Sequence, residues 1–600
     1  MAPDRPALVA DALVDRLLRW GIGRVFGYSG DGIDPILAAI ARRGGDLELV
    51  TARHEESAAL MATGHAKWTG ATGCCLATHG PGAIHLLNGL YDAKLDKRPV
   101  VAIIAQQHRT AIGSGYQQEI DAASLFKDVC GAYLATVTTP EQLHLVVDRA
   151  VRTAQARRQP TGVILPHDVQ QMEVPAEPPH AHAAMATSVG WSPPRVTPDD
   201  DALDAAVAVL DAGERIAIVA GQGAARAGEE LAAVAERLGA GVAKALLGMA
   251  VLPDDLPYVT GPIGHLGSTA SDLLARECDT LLLVGTNEPY TEHLPAPGQA
   301  RAVQIDIDGA NLGARYPTEV NLCGDAGETL RALLPRLAAR DRSGWRARVE
   351  AAVAEWWEIL DRRAHRDAEP LNPQLLFHEL SPRLPDDALL AVDVGSTTYW
   401  YARHIRVRGT MAGHLSSTLA SMGSALPYAV AAKLAHPGRL VVALAGDGAM
   451  QMNGINELIT VARLWEGWDD PRLPILVLDN GDLAEVTWEQ REMEGDPRFP
   501  ASQAVTPVPY AEWARLLGLD GTVVDDPAAV GPAWDRALAA DRPFLVHARV
   551  DPAVPLTPPR YPTGTDALLA GLDQETGPVA RRACRLVLAE LEDQGEAPPS

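Results

Sequence analysis

The chain carries little positive charge for its size, and this excludes two classes of partner. Its 600 residues include 52 Lys and Arg against 77 Asp and Glu, which gives a formal net charge of −25. Nucleic acids and anionic membranes both bind through a basic face, so we expect neither as a main partner. A small anionic substrate held in a local site is compatible with this charge.

Cysteines and long apolar runs are also scarce. The six cysteines form no CxxC pair and no regular framework, which indicates reduced thiols and a cytoplasmic location. No apolar run reaches the roughly 18 residues that would indicate a membrane-spanning helix, so we predict no membrane span. The N-terminal segment has no signal-peptide pattern, and its apolar residues predict one side of an amphipathic helix: Leu8, Leu13, Leu17 and Trp20.

Short β-branched runs alternate with longer helical patterns along the chain, which predicts an α/β fold. Eight of these runs are almost wholly apolar, as is typical of buried strands in parallel sheets: 162–166, 215–221, 280–285, 302–307, 389–395, 440–448, 474–482 and 544–550. We therefore predict three domains, each with a mainly parallel sheet flanked by helices.

Two breaks in the pattern divide these domains. Residues 176–199 are rich in Pro, Ala and His without a helical or strand period, which indicates a linker. A second break lies near residue 366. We predict domains at 1–175, 200–365 and 366–555, followed by a C-terminal tail at 556–600.

Gly446-Asp447-Gly448 is the first motif that indicates chemistry. It follows an apolar strand and precedes a helix, so the glycines allow close approach of an anion while helix N–H groups face it. Asp447 supplies an oxygen ligand of the kind that Mg²⁺ prefers. A simple turn is the alternative, but Asn480 ends the next apolar run, and parallel sheets bind ligands at that edge.

This pair of motifs resembles the signature of the thiamine diphosphate (ThDP) enzymes of the pyruvate oxidase and acetolactate synthase family. The resemblance implies that Asp447, Asn480 and the carbonyl of Asp482 bind Mg²⁺. This sequence departs from the family in having Asp479-Asn480 where Asn-Asn is usual. The separate motifs occur in the family order over nearly all of residues 7–550. Their sequences most resemble those of pyruvate oxidase-like members.

Further segments extend the resemblance. "TARHEESAAL" (51–60) is similar to the helix that bears the family's essential glutamate, here Glu55, whose carboxylate stabilises the cofactor tautomer that deprotonates the thiazolium. "YQQEID" (116–121) places Gln118 in the substrate pocket, and His85 lies at a position that is histidine in pyruvate oxidases. The resemblance assigns these residues to ThDP: Gly30, Pro81, Asn88, Gly395, Ser396, Thr397, Met422, Gly446, Gly448, Ala449 and Met450.

The central domain resembles the FAD-binding domain of the family. "IAIVAGQGAARAGEEL" (216–231) has the strand, glycine-rich turn and helix of a dinucleotide site, which by itself is a weak signal. The resemblance implies FAD contacts, although decarboxylases without flavin keep a similar domain: Gly221, Gly223, Gly285, Thr286, Asp306, Asp308 and Asp325.

Several polar residues distinguish the predicted substrate pocket. His79 and His108 occur where the family commonly has small residues, and Glu485 and Glu489 lie on the helix that faces the substrate in relatives. Either histidine alone is explained by drift. Two together lead us to the hypothesis of a substrate more polar or anionic than pyruvate, or of a changed fate for the decarboxylated fragment.

The resemblance predicts ThDP- and Mg²⁺-dependent decarboxylation of a small, pyruvate-like 2-oxo acid, followed by flavin-linked oxidation of the enamine to an acyl group. Acetolactate synthase-type carboligation, with FAD structural or absent, is the alternative. A non-catalytic ThDP-binding subunit and an NAD-dependent dehydrogenase are further rivals. In the family, Glu55 and Asp447 of one site come from different subunits, which predicts a homodimer at least and a homotetramer as the expected assembly.

Overall fold

The computed structural model describes residues 6–175, 187–562 and 564–595. Residues 176–186 of the predicted linker lie outside this part of the chain. The described residues contain three six-stranded parallel sheets flanked by helices, which confirms the predicted fold class. All eight strands expected from the sequence are present. None of the described helices is both long and apolar enough to cross a membrane.

The first sheet has the strand order β2-β1-β3-β4-β6-β5. Its strands are β1 Arg24–Gly27, β2 Glu48–Thr51, β3 Gly73–Ala77, β4 Val100–Gln106, β5 Leu134–Thr136 and β6 Pro160–Pro166. The accompanying helices are α1 Val9–Arg19, α2 Asp34–Arg42, α3 Glu55–Thr69, α4 Pro81–His85, α5 Leu87–Leu95, α6 Ala122–Leu125, α7 Leu143–Arg157 and α8 His167–Gln170.

The second sheet has the order β12-β11-β10-β7-β8-β9, in which the strand order reverses beside β7. Its strands are β7 Ile216–Ala220, β8 Gly241–Lys244, β9 Val259–Pro262, β10 Thr280–Val284, β11 Arg301–Asp306 and β12 Val320–Cys323. The accompanying helices are α9 Asp200–Ala212, α10 Gly228–Leu238, α11 Thr269–Glu277, α12 Ala326–Leu333 and α13 Ser343–Ala364.

The third sheet has the order β14-β13-β15-β16-β18-β17. Its strands are β13 Leu389–Val392, β14 Ala412–His414, β15 Val441–Gly446, β16 Pro474–Asp479, β17 Asp520–Val524 and β18 Phe544–Arg549. The helices are α14 Pro373–Leu380, α15 Ser396–His404, α16 Ala425–Ala435, α17 Asp447–Ala449, α18 Ile455–Leu464, α19 Ala484–Glu489, α20 Pro500–Gln503, α21 Tyr510–Leu516, α22 Val530–Leu538, α23 Asp566–Asp573 and α24 Pro578–Asp593.

The chain divides into two compact units that do not follow the sequence order. One unit joins the residues up to Pro193 with His414–Ala443 and Ala449–Pro471. The other contains Pro194–Gly413, Leu444–Gly448 and the residues from Arg472 onward. Within the first unit α3 packs closely on α16: a Cβ on Gly64 would lie 3.0 Å from the Tyr428 ring, so any larger residue would crowd this contact.

Candidate cofactor-binding site

In the first unit, Glu55 begins α3 and is 8% exposed. Its Oε2 lies 2.9 Å from Nδ1 of His85. A Cβ on Gly82 would lie 3.0 Å from the other carboxylate oxygen, so the α4 backbone approaches Glu55 closely. The imidazole of His54 caps α3 by accepting the Glu56 amide at 3.2 Å. The buried Glu55 carboxylate is therefore held by His85 and lies against the backbone at Gly82.

Asn88 connects the start of α3 to the loop that carries Met422. Its Nδ2 donates to Glu56 Oε1 at 2.7 Å and to Ser421 Oγ at 2.6 Å. Met422 is half-buried directly after Ser421. The structure thus brings Asn88 and the Met422 loop together, two residues that the sequence assigns separately to the cofactor.

A fully buried cluster of charged residues holds the segment that precedes Met422. The Lys67 ammonium lies 2.7 Å from Asp96 Oδ2 and 3.3 Å from Asp92 Oδ1, and all three side chains are 0% exposed. Lys67 also donates to the Tyr428 hydroxyl and the Leu415 carbonyl, each at 2.6 Å. Asp96 in turn accepts the amides of residues 417 and 418, which fixes the chain that leads to Met422.

His79 and Gln118 lie within hydrogen-bonding distance of one another, whereas His108 is exposed. His79 is 4% exposed, and its Nδ1 lies 3.3 Å from Gln107 Nε2. Burial lowers the pKa of His79, although the Asp31 charge and the hydrogen bond that His79 makes with Gln118 act against this. His108 is exposed, and its nearest partner is Thr110 Oγ1 at 2.7 Å. His79 is therefore suited to hydrogen bonding as a neutral imidazole.

Local packing and helix geometry explain why residue 30 is glycine and residue 81 is proline. A Cβ on Gly30 would lie 2.6 Å from the Thr78 side chain, so this position has room only for glycine. Pro81 stands in the first turn of α4, where its missing N–H is not needed. The Gly30 backbone therefore packs directly against Thr78, and Pro81 starts the helix that carries Gly82 to Glu55.

In the second unit, Asp447 follows β15 and is 3% exposed. Its two carboxylate oxygens accept the amides of Gly448 and Gly481, each at 2.8 Å. Burial raises the pKa of Asp447 to about 8, and the neighbouring Asp479 carboxylate adds to this rise. A buried acid beside a second acid is a site that a divalent cation would neutralise.

Asp479, the departure from the family motif, has its own buried partner. Its Oδ2 lies 2.8 Å from Nε2 of His547, which is 1% exposed. Burial acts to raise the pKa of Asp479, but the imidazole outweighs it and the pKa lies below its usual range. Tyr510 packs edge-on against this imidazole and donates to the Asp447 carbonyl at 3.2 Å.

The other two predicted metal ligands lie on the loop after β16. Oδ1 of Asn480 accepts the Asp482 amide at 2.9 Å. The Asp482 carboxylate accepts Arg498 Nε at 2.8 Å, so we still predict that Asp482 contributes its carbonyl. Hard oxygens from a carboxylate, an amide and a carbonyl suit Mg²⁺, and these residues fit the metal.

The start of α15 fits an anionic group. Gly395 adopts a φ of 111°, which favours glycine, immediately before the helix. Thr397 is 0% exposed, and its hydroxyl has no hydrogen-bond partner among the described residues. A Cβ on Gly446 would lie 3.7 Å from that hydroxyl. Buried hydroxyls are normally satisfied, so a diphosphate oxygen at this place would supply the partner.

The central domain uses its glycines for close packing at the carboxyl ends of β7 and β10. A Cβ on Gly221 would lie 2.5 Å from the Gly285 carbonyl, and one on Gly223 would lie 2.7 Å from Gly285 Cα. Thr286, next in sequence, is buried. Four of the seven residues proposed for FAD therefore meet at the point where strand order reverses, where open α/β sheets bind ligands.

The three acids assigned to FAD each accept a backbone amide. Asp306 Oδ1 accepts from Asp308 at 2.8 Å, Asp308 accepts from Ala310 at 3.1 Å, and Asp325 caps α12 through Glu328 at 3.1 Å. Asp306 ends β11 and is 7% exposed. An acid at this strand end is compatible with the adenosine ribose of FAD.

Carboxylates with raised pKa values gather along α19 and the turn after it. Burial raises the pKa of Glu485 to about 7, raises that of Glu489, and raises that of Glu492 to about 7. Glu492 lies 3.8 Å from His265 Nε2. Burial also raises the pKa of Glu288 to about 7. Perturbed acids of this kind are frequent at functional sites.

Sequence reasoning missed His54, Gln107, Tyr510 and His547. His547 had a usable signal, because a histidine within the apolar run "FLVHARV" needs a buried partner. His54 precedes Glu55 directly, and its capping role follows from its position before a helix. Gln107 and Tyr510 carry no sequence signal, since only the fold brings them to His79 and to Asp447.

Comparisons with known proteins agree with this geometry. Sequence models of the thiamine pyrophosphate enzymes match residues 8–125 as the N-terminal TPP binding domain, 203–333 as the central domain and 393–548 as the C-terminal TPP binding domain. Each match falls on a different one of the three sheets, and together they cover more than half of the chain.

Several curated proteins are similar over most of their length. "Putative thiamine pyrophosphate-containing protein YdaP" of Bacillus subtilis (strain 168) is 32% identical over 91% of this chain and 92% of its own. Pyruvate oxidase of Lactiplantibacillus plantarum is 31% identical, with 74% and 73% covered. Acetolactate synthase isozyme 2 large subunit of Escherichia coli (strain K12) is 32% identical, with 92% and 97% covered. The chain therefore belongs to the family of thiamine pyrophosphate enzymes.

Proposed function

We propose that the protein is a ThDP- and Mg²⁺-dependent enzyme that decarboxylates a small 2-oxo acid. The observation that carries this proposal is Glu55, a buried carboxylate 2.9 Å from His85 and in close contact with the backbone at Gly82. A helix-surface charge, the alternative interpretation of Glu55, is not supported by 8% exposure.

Different residues of this chain would bind the metal ion and the parts of the cofactor. Asp447, Asn480 and the Asp482 carbonyl would hold the metal, and Thr397 with the Gly446 backbone would hold the diphosphate. Asn88 holds the loop on which Met422 supports the cofactor. When bound, ThDP supplies the electron sink for loss of CO₂.

Glu55 and His85 would manage protons. The Glu55 carboxylate accepts a proton at Oε1 or Oε2 and passes it to Nδ1 of His85, 2.9 Å away. The His85 side chain is 41% exposed, so this proton reaches solvent without a further relay. His79, kept neutral by burial, would donate or accept a hydrogen bond to the substrate with Gln118.

For the second half of the reaction, we propose flavin-linked oxidation of the decarboxylated fragment to an acyl group. Support comes from the central domain, whose glycines and Asp306 suit FAD, and from similarity to a pyruvate oxidase. Acetolactate synthase-type carboligation is the second candidate, because an acetolactate synthase is equally similar over a larger share of the chain. The smallest active assembly would be a homodimer, and a homotetramer is expected.

The test is release of CO₂ from pyruvate and a panel of 2-oxo acids by purified protein. Release should require both ThDP and Mg²⁺ and should fall by at least a hundredfold in Glu55→Gln, in line with the loss of one general acid–base group. No release with any 2-oxo acid would reject the proposal in favour of a non-catalytic ThDP-binding subunit.

A second experiment separates the two candidate reactions. Flavin absorbance of the pure protein that bleaches anaerobically with substrate would support oxidation. Absence of flavin, or flavin that does not bleach, together with an acetolactate-type product would support carboligation.

A further inference from the structure

Three side chains that the proposed reaction does not use meet where α13 ends and α14 begins. Asp361 and His365 lie four residues apart on one side of the α13 end, and His378 lies within α14. One ligand atom from each of the three lies within 4.8 Å of the others. The side chains are 63%, 54% and 32% exposed, so ions in solution can reach them.

The distances match the edges of a metal-ligand tetrahedron. Asp361 Oδ1 lies 3.3 Å from His378 Nε2 and 3.6 Å from His365 Nδ1. Bonds of about 2.0–2.2 Å to a tetrahedral Zn²⁺ place two ligand atoms roughly 3.3–3.6 Å apart. The two imidazole rings lie 5.2 Å apart and nearly perpendicular, at 80°. Little movement is needed to bring the three groups around one ion.

The charge of the cluster also favours a cation. Asp361 forms no ion pair with a lysine or arginine within the described ranges; its partners are the two imidazoles. An imidazole ligates a metal through an unprotonated ring nitrogen, and Nε2 of His378 faces the Asp361 carboxylate. Arg406 and Glu379, which also act on His378, carry opposite charges.

His365 has to exchange one contact for another when it ligates. Its Nδ1 lies 2.8 Å from the Asp361 carbonyl, a bond from the ring N–H to the preceding helical turn. Ligation through Nδ1 moves the proton to Nε2, which solvent can satisfy because the ring is exposed. Behind His378, His404 is 3% exposed, and its ring centroid lies 6.1 Å away. The pKa of His404 lies well below its usual value because of burial, so His404 itself adds no positive charge there.

We propose that Asp361, His365 and His378 form a binding site for one borderline divalent cation such as Zn²⁺. Two imidazoles and a carboxylate suit Zn²⁺ and are a poor set for Mg²⁺ or Ca²⁺, which prefer oxygen ligands. The bound ion would join the end of α13 to α14 across residues 365–372 and stabilise this connection. This site does not depend on the proposed decarboxylation.

The experiment is titration of the holoenzyme, with ThDP and Mg²⁺ present, with ZnCl₂ in a calorimeter, beside a thermal melt. Wild type should bind Zn²⁺, and its Tm should rise with Zn²⁺. His378→Gln and Asp361→Asn should each weaken this binding by at least tenfold and abolish the rise in Tm. His144→Gln, which removes a half-buried histidine far from the cluster in sequence, is the matched control and should bind like wild type.

A second cluster requires its own control. His54, Glu55 and His85 also place ligand atoms within 4.8 Å of one another, so His85→Gln identifies any Zn²⁺ bound there. If His378→Gln and Asp361→Asn bind as many Zn²⁺ ions as wild type, with affinity unchanged within twofold, the proposal is wrong. The cluster is largely exposed, so these variants are expected to fold, and their circular dichroism spectra in the absence of Zn²⁺ check this.

Discussion

Removal of the Lys67 ammonium should destabilise the first unit strongly. In Lys67→Met the side chain keeps its approximate volume, but Asp92 and Asp96 lose their cation while 0% exposed. Burial already raises the pKa of Asp92, whereas the Lys67 charge keeps the pKa of Asp96 low despite burial. The variant therefore leaves two buried carboxylates without the ammonium that lies against both of them.

The magnitude follows from the loss of one partner of a buried ion pair. Such a loss costs about 3–5 kcal/mol, and for a unit of this size each kcal/mol corresponds to roughly 2–4 °C in Tm. We expect the transition of the first unit to fall by about 6–20 °C. Differential scanning calorimetry of the purified enzyme measures this directly.

Lys94→Met is the matched control, because it removes the same charge from a partly exposed pair. Lys94 lies 2.9 Å from Asp128, whose side chain is 71% exposed. Pairs of this kind contribute about 0–1 kcal/mol, so Tm should change by no more than about 4 °C. A Lys67→Met transition within 2 °C of wild type would refute the reasoning that this buried cluster holds the loop before Met422.

Three further predictions concern the second unit. Asp479→Asn removes one of two adjacent carboxylates and the negative charge that faces His547, and Mn²⁺ affinity measured by electron paramagnetic resonance should fall by about tenfold or more; unchanged affinity would contradict this. Thr397→Val removes the unpartnered buried hydroxyl and should weaken ThDP about tenfold by tryptophan fluorescence, with Mn²⁺ affinity unaffected. Glu485→Gln concerns pH: burial raises the pKa of Glu485 from 4.5 to about 7, so the native state binds more protons than the unfolded state between these values. The protonated Glu485 side chain contributes fully to the free energy of unfolding below pH 4.5, and this contribution is lost as the pH rises to about 7. Glu485→Gln should therefore melt above wild type at pH 8 and converge with it below pH 4.5, and a constant difference in Tm would contradict the burial of this acid.

The sequence predicts the sheets well where strands are buried on both faces. β7, β10 and β18 are continuous apolar runs, and each lies within a residue of its expected place, while β16 begins as expected and ends three residues earlier. The short or edge strands β2, β5, β14 and β17 mix polar and apolar residues, so pairing with a neighbour determines them and local pattern does not. The predicted N-terminal helix is present as α1, which begins at Val9, one residue after Leu8. The spacing of its apolar residues is enough to locate it.

The sequence indicates individual residues of the candidate site, but it does not indicate the contacts between them. Motif order indicated Glu55, Asp447 and Asn480, and the family comparisons support the assignment of the domains that carry them. The Asp479–His547 pair joins β16 to β18, and the Lys67 cluster joins α3, α5 and α16. Such pairs depend on long-range packing, which no local pattern encodes. The roles of the predicted cofactor residues stay predictions until ligands are measured.

The measurement that tests the central claim most directly is the exchange rate of the thiazolium C2 proton of enzyme-bound ThDP, followed by NMR after dilution into deuterium oxide. We expect fast exchange in the wild-type enzyme with Mg²⁺ and a rate at least a hundredfold lower in Glu55→Gln, since we propose that Glu55 activates the cofactor. Equal rates in the two proteins, with ThDP bound to both, would contradict it.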